Sequence, residues 1–409
     1  MLTLLKNRPL LSYSLAHFSV DLCAGALPII MVYLARALTL SIAQSAFVIG
    51  VYTMSSSLSQ PLFGYLSDKA SGRAFSQWQS ALGLAWLATF QGLTGFATSY
   101  GTLLGLVALA GLGSAAFHPH GASGASKSGG PRKTSAMAIF MLGGNTGYAA
   151  GPVVAGLLLE SLGVHGSIWI SVIGLLLVPV VYFAGRSASV SAPRAPSAQT
   201  QTPANAAKEA VLQFSKVAIL ALMLVMFLRA WTQAAITSFT PIYFIQIAGL
   251  TVPQASRIAF INLFALAVGG LMGGILADRF GGKRILVATL LVYAPATYFL
   301  FSTQGATALL IAPLAGFVAG ASWPPLIVLA QELFPKNAGV ASGISLGFAF
   351  AMGGIGQSIT GWLADHGLGL QPSLLMLSVL PMLAAACVLV LPSRAQQRKN
   401  LPLGVPQTQ

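Results

Sequence analysis

The chain runs to 409 residues, 56% of them hydrophobic and only 7% charged, where an ordinary soluble domain carries about 25% charged residues. That composition excludes water as its main solvent. The formal net charge of +14 would fit a nucleic-acid partner only if the basic residues were gathered into one binding surface, and their spacing along the chain gives them another meaning.

Apolar runs, mostly of 18–26 residues, recur from Leu10 to Leu391, and a helix of about 20 apolar residues crosses the roughly 30 Å of hydrocarbon in a bilayer. The runs predict twelve membrane-spanning helices, at 10–36, 42–66, 75–97, 101–124, 134–160, 166–185, 214–247, 255–277, 285–303, 306–330, 338–363 and 371–392. Several contain proline and many contain glycine, which membrane helices tolerate because neighbouring helices satisfy the freed backbone groups. The first run has no short apolar core followed by a small-residue cleavage site, so it is expected to be retained as a helix rather than removed as a signal peptide. Cys23 and Cys387 fall inside runs at opposite ends of the chain, which argues against a disulfide framework and against a metal site. The expected fold class is an all-α polytopic membrane protein of twelve transmembrane helices.

Twelve spans put both termini on one side. That side collects all of the 21 Lys and Arg except Arg36 and Arg257, which lie opposite, and Arg229, which lies inside a span. By the positive-inside rule the basic side is expected to be cytoplasmic, and the charge is a topology signal rather than a nucleic-acid footprint. Residues 186–212, RSASVSAPRAPSAQTQTPANAAKEAVL, are the one long stretch without apolar periodicity, with the composition of a flexible linker. It divides the chain into an N-terminal six-helix half (1–185), a linker (186–213), a C-terminal six-helix half (214–392) and a cytoplasmic tail (393–409). The halves echo each other. GYLSDKASGR at 64–73 follows the second span and GILADRFGGKR at 274–284 follows the eighth, with Gly64 matching Gly274 and Asp68 matching Asp278 at one offset of 210. Such doubling is typical of secondary transporters built from two halves around a central site.

The repeated G-x-L-x-D-(R/K)-x-x-G-(R/K) loop resembles the signature of the major facilitator superfamily, and the resemblance extends over essentially the whole chain. Asp68 with Arg73, and Asp278 with Arg279 and Arg284, are then expected to act as charge-assisted latches between helices at the basic face, broken when that face opens. GYAAGP at 147–152 in the fifth span, with Gly147, Gly151 and Pro152, looks like the superfamily's antiporter motif; glycines four apart also let a neighbouring backbone approach closely. FHPHGAS at 117–123, MLGGNTGYAAGP at 141–152 and AHFSVD at 16–21 together resemble the fosmidomycin-resistance family, whose members are drug exporters driven by inward proton flow. That family typically shows an FHPE-type sequence, so His118 fits its pattern and His120 stands where an acid is expected.

Polar residues buried in the spans form the candidate site. Asp21 lies about eleven residues into the first span, roughly 16 Å deep at 1.5 Å per residue and so near the midplane, where a lone carboxylate is costly and by default functional. His17 is one turn earlier on the same helix face, and the pair can hold or release a proton near neutral pH. His118 is read as a cavity-facing or proton-relay group beside Pro119, whose missing N–H opens the helix locally. Proton coupling is therefore assigned to Asp21, His17 and His118. Arg229 cannot be neutralised, so it is expected to pair either with an acid, Asp21 being the obvious one, or with an anionic substrate. Exchange of one partner for the other would free Asp21 to take a proton. Asn145, Trp231, Gln233, Tyr243 and His120 complete the expected substrate-binding set, while His165, His366, Glu160 and Asp365 are expected to be solvated at outer helix ends.

Other chemistry finds no residues to carry it. HPH is not HExxH, no His/Cys cluster has zinc spacing, and the glycine runs lie inside apolar helices rather than after a strand. The expectation is a protein that is not an enzyme, without cofactor or metal, monomeric in the bacterial inner membrane, whose partners are protons, a small-molecule solute and the lipid bilayer, with no nucleic acid. The resemblance implies export of a drug or phosphonate in exchange for protons. Proton-coupled uptake of a metabolite is the alternative within transport; a channel or membrane sensor is the alternative outside it, which the doubled halves disfavour.

Overall fold

The computed structural model describes residues 4–69, 73–130, 133–190, 216–303, 306–333 and 338–391. Among the described residues the regular structure is helical throughout. In chain order the α-helices are α1 (Arg8–Ala37), α2 (Ile42–Lys69), α3 (Arg73–Leu93), α4 (Tyr100–Ser128), α5 (Lys133–Leu162), α6 (Ser167–Val190), α7 (Lys216–Gln246), α8 (Val252–Phe280), α9 (Gly282–Ser302), α10 (Ala306–Ala321), α11 (Trp323–Leu333), α12 (Ala338–Leu363), α13 (Leu370–Met376) and α14 (Val379–Val390). The tenth span is α10 with α11, and the twelfth is α13 with α14. Each break precedes a proline, Pro324 or Pro381, which is accepted in a first helical turn but cannot bond back to a preceding one. Elsewhere the helices run through Pro28, Pro61, Pro119, Pro152, Pro179, Pro241, Pro295 and Pro313.

Side chains fix several helix starts. Asn7 caps α1 by accepting from the Leu10 N–H, and capping boxes open α4 (Ser99 with Thr102) and α8 (Thr251 with Gln254). The expected linker differs at its first residues, because α6 continues to Val190; its remainder, and the tail over 393–409, lie outside the described residues.

Eight apolar segments among the described residues are long enough to cross a membrane, and one of them, Ala136–Phe183, contains both α5 and α6. Leucines such as Leu176, Leu271 and Leu310 stand at least 70% exposed on the lateral surface. A surface of that kind is stable against lipid and not against water. The chain is a multi-pass membrane protein.

In the first half α1 packs on α5 and α6, α4 packs on α2 and α3, and α3 packs on α6. The second half repeats the arrangement, with α7 on α12 and α8 on α10. The halves meet chiefly through α2 with α12 and α5 with α8. Tyr148 of α5 hydrogen-bonds Thr237 of α7, and three bonds among the described residues tie the second half to α2: Asp365 accepts from the Ile42 N–H (3.2 Å) and the Ala43 N–H (2.7 Å), and the Gln357 amide donates to the Ala46 carbonyl (3.3 Å). All three lie toward the face opposite the start of α1 and the end of α14, called here the opposite face; the other is the terminal face. Asp365 is exposed, as expected, and it also caps the first turn of α2 across the two halves, because a helix N-terminus offers unpaired N–H groups and positive potential to a carboxylate.

Candidate functional site

The three proton-coupling candidates meet in one cluster. His17 and Asp21 lie one turn apart on α1, and the His17 Nε2 is 3.2 Å from Asp21 Oδ2. From α4, His118 Nε2 approaches the other carboxylate oxygen at 3.4 Å. His17 is buried, whereas the side chains of Asp21 and His118 keep 20% and 25% of their surface exposed. The cluster is therefore walled on one side and open on the other.

Both rings are braced. His17 Nδ1 lies 2.9 Å from the Phe140 carbonyl of α5, and the ring stacks on Phe140 at 4.1 Å between centroids. His118 Nδ1 lies 2.8 Å from the carbonyl of Ser114, one turn earlier on α4, and its ring stands edge-on to His17. The helix passes unbroken through Pro119, so the local opening expected there is not observed; the braced histidine sits immediately before the proline. Space for the cluster comes from Gly144, where a Cβ would overlap the His17 ring and approach Asp21 Oδ2 at 2.6 Å. Among the described residues His17, Asp21 and His118 also form a group whose ligand atoms all lie within 4.8 Å of one another, as a metal ion would need. Each imidazole here addresses a different oxygen of the carboxylate.

Arg229 does not pair with Asp21. Its Nε donates to Ser322 Oγ (3.0 Å), its Nη2 donates to the Ala319 carbonyl (2.7 Å), and the guanidinium lies over the Trp323 ring, 4.3 Å from the centroid. The physical reason is local: both Asp21 oxygens face imidazoles, and the break between α10 and α11 presents acceptors to the arginine. Arg229 is 5% exposed, and no carboxylate among the described residues lies within ion-pair distance of it.

The two charged sites occupy matching places in the two halves. Gly64 on α2 faces Pro119 on α4, and Gly274 on α8 faces Pro324 on α11, which aligns His118-Pro119 with Trp323-Pro324. Asp21 with His118 in the first half thus corresponds to Arg229 with Trp323 in the second, and the Ser114 carbonyl to that of Ala319. One repeat holds an acid between imidazoles; the other holds a guanidinium on an indole. Along α7 the polar face continues one turn at a time, through Gln233, which accepts from the Tyr293 hydroxyl at 3.3 Å, to Thr237, which accepts from Gln233 at 3.0 Å.

Other expected substrate contacts lie elsewhere. His120 is buried on the far side of α4, with Nδ1 2.6 Å from the Ser80 hydroxyl of α3. Tyr243 is buried toward the opposite face, where its hydroxyl donates to the Phe301 carbonyl (2.6 Å). Trp231 lies against Gly356 and donates its indole N–H to Thr360 (2.8 Å), so it joins α7 to α12. Asn145 is half-buried on α5, one turn from Tyr148. His120 and Tyr243 are placed there because each polar tip finds a partner within its own half.

The motif residues separate in the same way. Gly147 and Gly151 press α5 onto the α1 backbone at Phe18 and at Leu22 to Ala26, and Pro152 follows on the same helix. Asp278, Arg279 and Arg284 are exposed at the terminal face, and Asp278 makes no ion pair with a described residue. The second latch is therefore not closed among those residues. Asp68 lies in the last turn of α2 and Arg73 begins α3, but their side chains lie outside the described residues. Sequence reasoning passed over Gly144, the Phe140 and Ser114 carbonyls, Tyr293 and Trp323; the match of HP at 118–119 with WP at 323–324 was the available signal for the last.

The profile of the Major Facilitator Superfamily matches residues 13–260 and again 222–407. The chain is 31% identical over 359 residues to the fosmidomycin resistance protein of Escherichia coli (strain K12), covering 86% of this chain and 85% of that protein. It is also 31% identical over 400 residues to the MFS-type transporter YfnC of Bacillus subtilis (strain 168), covering 95% and 94%. Among solved structures, a bacterial homologue of the human lysosomal transporter Spinster in an inward-facing and occupied conformation superposes with a TM-score of 0.75 at 17% identity, over 98% of both chains. The nucleoside transporter NupG gives 0.71 at 15% identity, over 93% of this chain and 98% of that one. Doubled six-helix halves, a repeated loop and a charged site in each half thus have one common explanation, and the chain belongs to the Major Facilitator Superfamily of transporters.

Proposed function

We propose that this transporter exports a small anionic solute, a drug or phosphonate-like compound, by exchange for protons through alternating access. The observation that carries the reading is the His17–Asp21–His118 cluster: three titratable groups in mutual contact, deep in the membrane and open on one side. A static pore has no need of such a cluster, whereas an exchanger must load and unload protons at a site that faces each compartment in turn. Arg229 supports the anionic class, since a buried guanidinium with only neutral partners leaves a full positive charge for an anion to balance. The 31% identical fosmidomycin resistance protein supports a phosphonate among the candidates.

In this reading the protein is a monomer of the bacterial inner membrane, with the basic terminal face toward the cytoplasm by the positive-inside rule. The hydrogen bonds between the halves near the opposite face support solute entry from the cytoplasmic side. Solute enters beside Arg229 as protons leave the triad. The solute's charge then permits closure of the terminal face, and opening of the opposite one releases it and reloads the triad.

Solute flux in proteoliposomes under an imposed pH gradient tests this, with fosmidomycin, a neutral drug and a cationic drug as probes. Fosmidomycin is expected to move against the proton flow, and Asp21→Asn to lose the response to the gradient. Flux that ignores the gradient in the wild type, or follows protons in the same direction, overturns the exchange reading.

A further inference from the structure

The imidazoles of the triad are each held by the nitrogen that faces away from Asp21. His17 Nδ1 sits 2.9 Å from the Phe140 carbonyl and His118 Nδ1 sits 2.8 Å from the Ser114 carbonyl. A carbonyl oxygen only accepts, and it is the nearer partner of each Nδ1, so each Nδ1 carries a hydrogen; the Ser114 hydroxyl lies farther from His118 Nδ1, at 3.3 Å, where it accepts a share of that hydrogen. In a neutral imidazole with its hydrogen on Nδ1, the Nε2 is a bare lone pair. Those lone pairs face Asp21, one toward each oxygen, at 3.2 and 3.4 Å. An ionised carboxylate also only accepts. With Asp21 charged and both rings neutral, both contacts would set lone pair against lone pair in a partly desolvated place, where an unmade hydrogen bond is costly. A single proton mends one contact and leaves the other, because the rings address different oxygens. Two protons mend both.

On the footing of the exchange reading above, we infer that the triad is a two-proton site, with one proton held on each Nε2 against Asp21, and that the transporter moves two protons per solute. The balance is simple. Each proton joins an Nε2 lone pair from the water of one compartment and leaves to the water of the other, and no other bond changes. The triad passes from one negative charge, through neutrality, to one positive charge. Other titratable groups near the carboxylate are Cys23 on α1, Tyr52 on α2 and Tyr148 on α5, a thiol and two phenols that are neutral near pH 7. His120, the other histidine of α4, faces Ser80 instead. His17 and His118 are thus the groups that change charge, each against the fixed charge of Asp21, and the two backbone carbonyls set how many protons they take.

Two measurements on the full chain separate this inference from the reading beneath it. The first needs no solute: nitrogen-15 histidine spectra in lipid nanodiscs across a pH series, assigned with His17→Gln and His118→Gln. Both rings are expected to be neutral with hydrogen on Nδ1 at high pH and doubly protonated at low pH. A neutral ring with its hydrogen on Nε2, or a ring that never takes its second proton, overturns the two-proton site. The second is the fosmidomycin gradient held at zero net flux, with the membrane potential clamped at zero. Two protons predict about a 100-fold solute gradient per pH unit and one proton about tenfold, since each coupled proton contributes a factor of 10 per unit. Wild type is expected at about 100-fold and His118→Gln, missing one bridge, at about tenfold. A tenfold gradient in the wild type sinks the stoichiometry while leaving exchange intact; no dependence on pH sinks the exchange reading itself.

Discussion

Gly144 shows how little space the triad has. A methyl group there would overlap the His17 ring and crowd Asp21, so Gly144→Ala is expected to turn one of them off its partner. Overpacking of this kind costs about 1–3 kcal/mol, and the expected outcome is a loss of gradient-driven flux of about tenfold or more, with a modestly lowered thermal midpoint in detergent. Flux equal to wild type would show that the contact at Gly144 does not constrain the triad. Arg229 belongs to the same scale. Its fork reaches Ser322 and Ala319 while its plane covers Trp323, and a lysine reproduces neither the fork nor the stacking. Arg229→Lys should therefore raise the KM for an anionic solute by about tenfold while proton coupling persists, as initial rates with and without a pH gradient would register. His17 and Asp21 were legible as a pair from their spacing of four. His118 was assigned to the same role from its place beside a proline and from the family pattern, but its contact was not legible, because nothing local says that it faces a carboxylate 97 residues earlier in the chain.

At the scale of helices, the pairing of α1 with α5 positions the first-half site. Gly143, Gly147 and Gly151 each lie against α1 backbone, so the two helices meet through main chain rather than through side chains. This closeness lets the Phe140 carbonyl reach His17. Gly147→Leu is expected to force the helices apart and destabilise the protein by a few kcal/mol, as other overpacked interfaces do, seen as a lowered thermal midpoint together with lost coupling. A stable variant without coupling would assign the motif to the site alone; unchanged coupling would remove α5 from it. Helix positions were readable because a membrane span has a fixed length. The breaks at Ser322 and at Leu377 to Ser378 were not anticipated, although the prolines that follow them were in view.

For the whole molecule, the decisive feature is where the halves touch. Asp365 of the second half accepts from two N–H groups at the start of α2 in the first, a carboxylate at a helix N-terminus worth about 1 kcal/mol when exposed. Asp365→Ala should move the balance of open states toward the opposite face several-fold, which spin-label distances between α2 and α12 near that face would report. An unchanged distance distribution would make the cap incidental to the cycle.

The sequence by itself determined that this chain lives in a bilayer, that it crosses twelve times in two related halves, and that Asp21 and His17 stand side by side. Each of those properties is local or periodic: the cost of unpaired backbone in hydrocarbon sets span length, helical pitch puts residues four apart on one face, and a repeat is visible as a fixed offset. Only the tertiary structure decided which buried polar groups share a site. It sent His120, Trp231 and Tyr243 to partners within their own halves, gave both Asp21 oxygens to imidazoles, and left Arg229 with neutral partners. Those outcomes depend on which helices touch and how closely, a competition among many distant hydrogen-bond partners that no short stretch of sequence records.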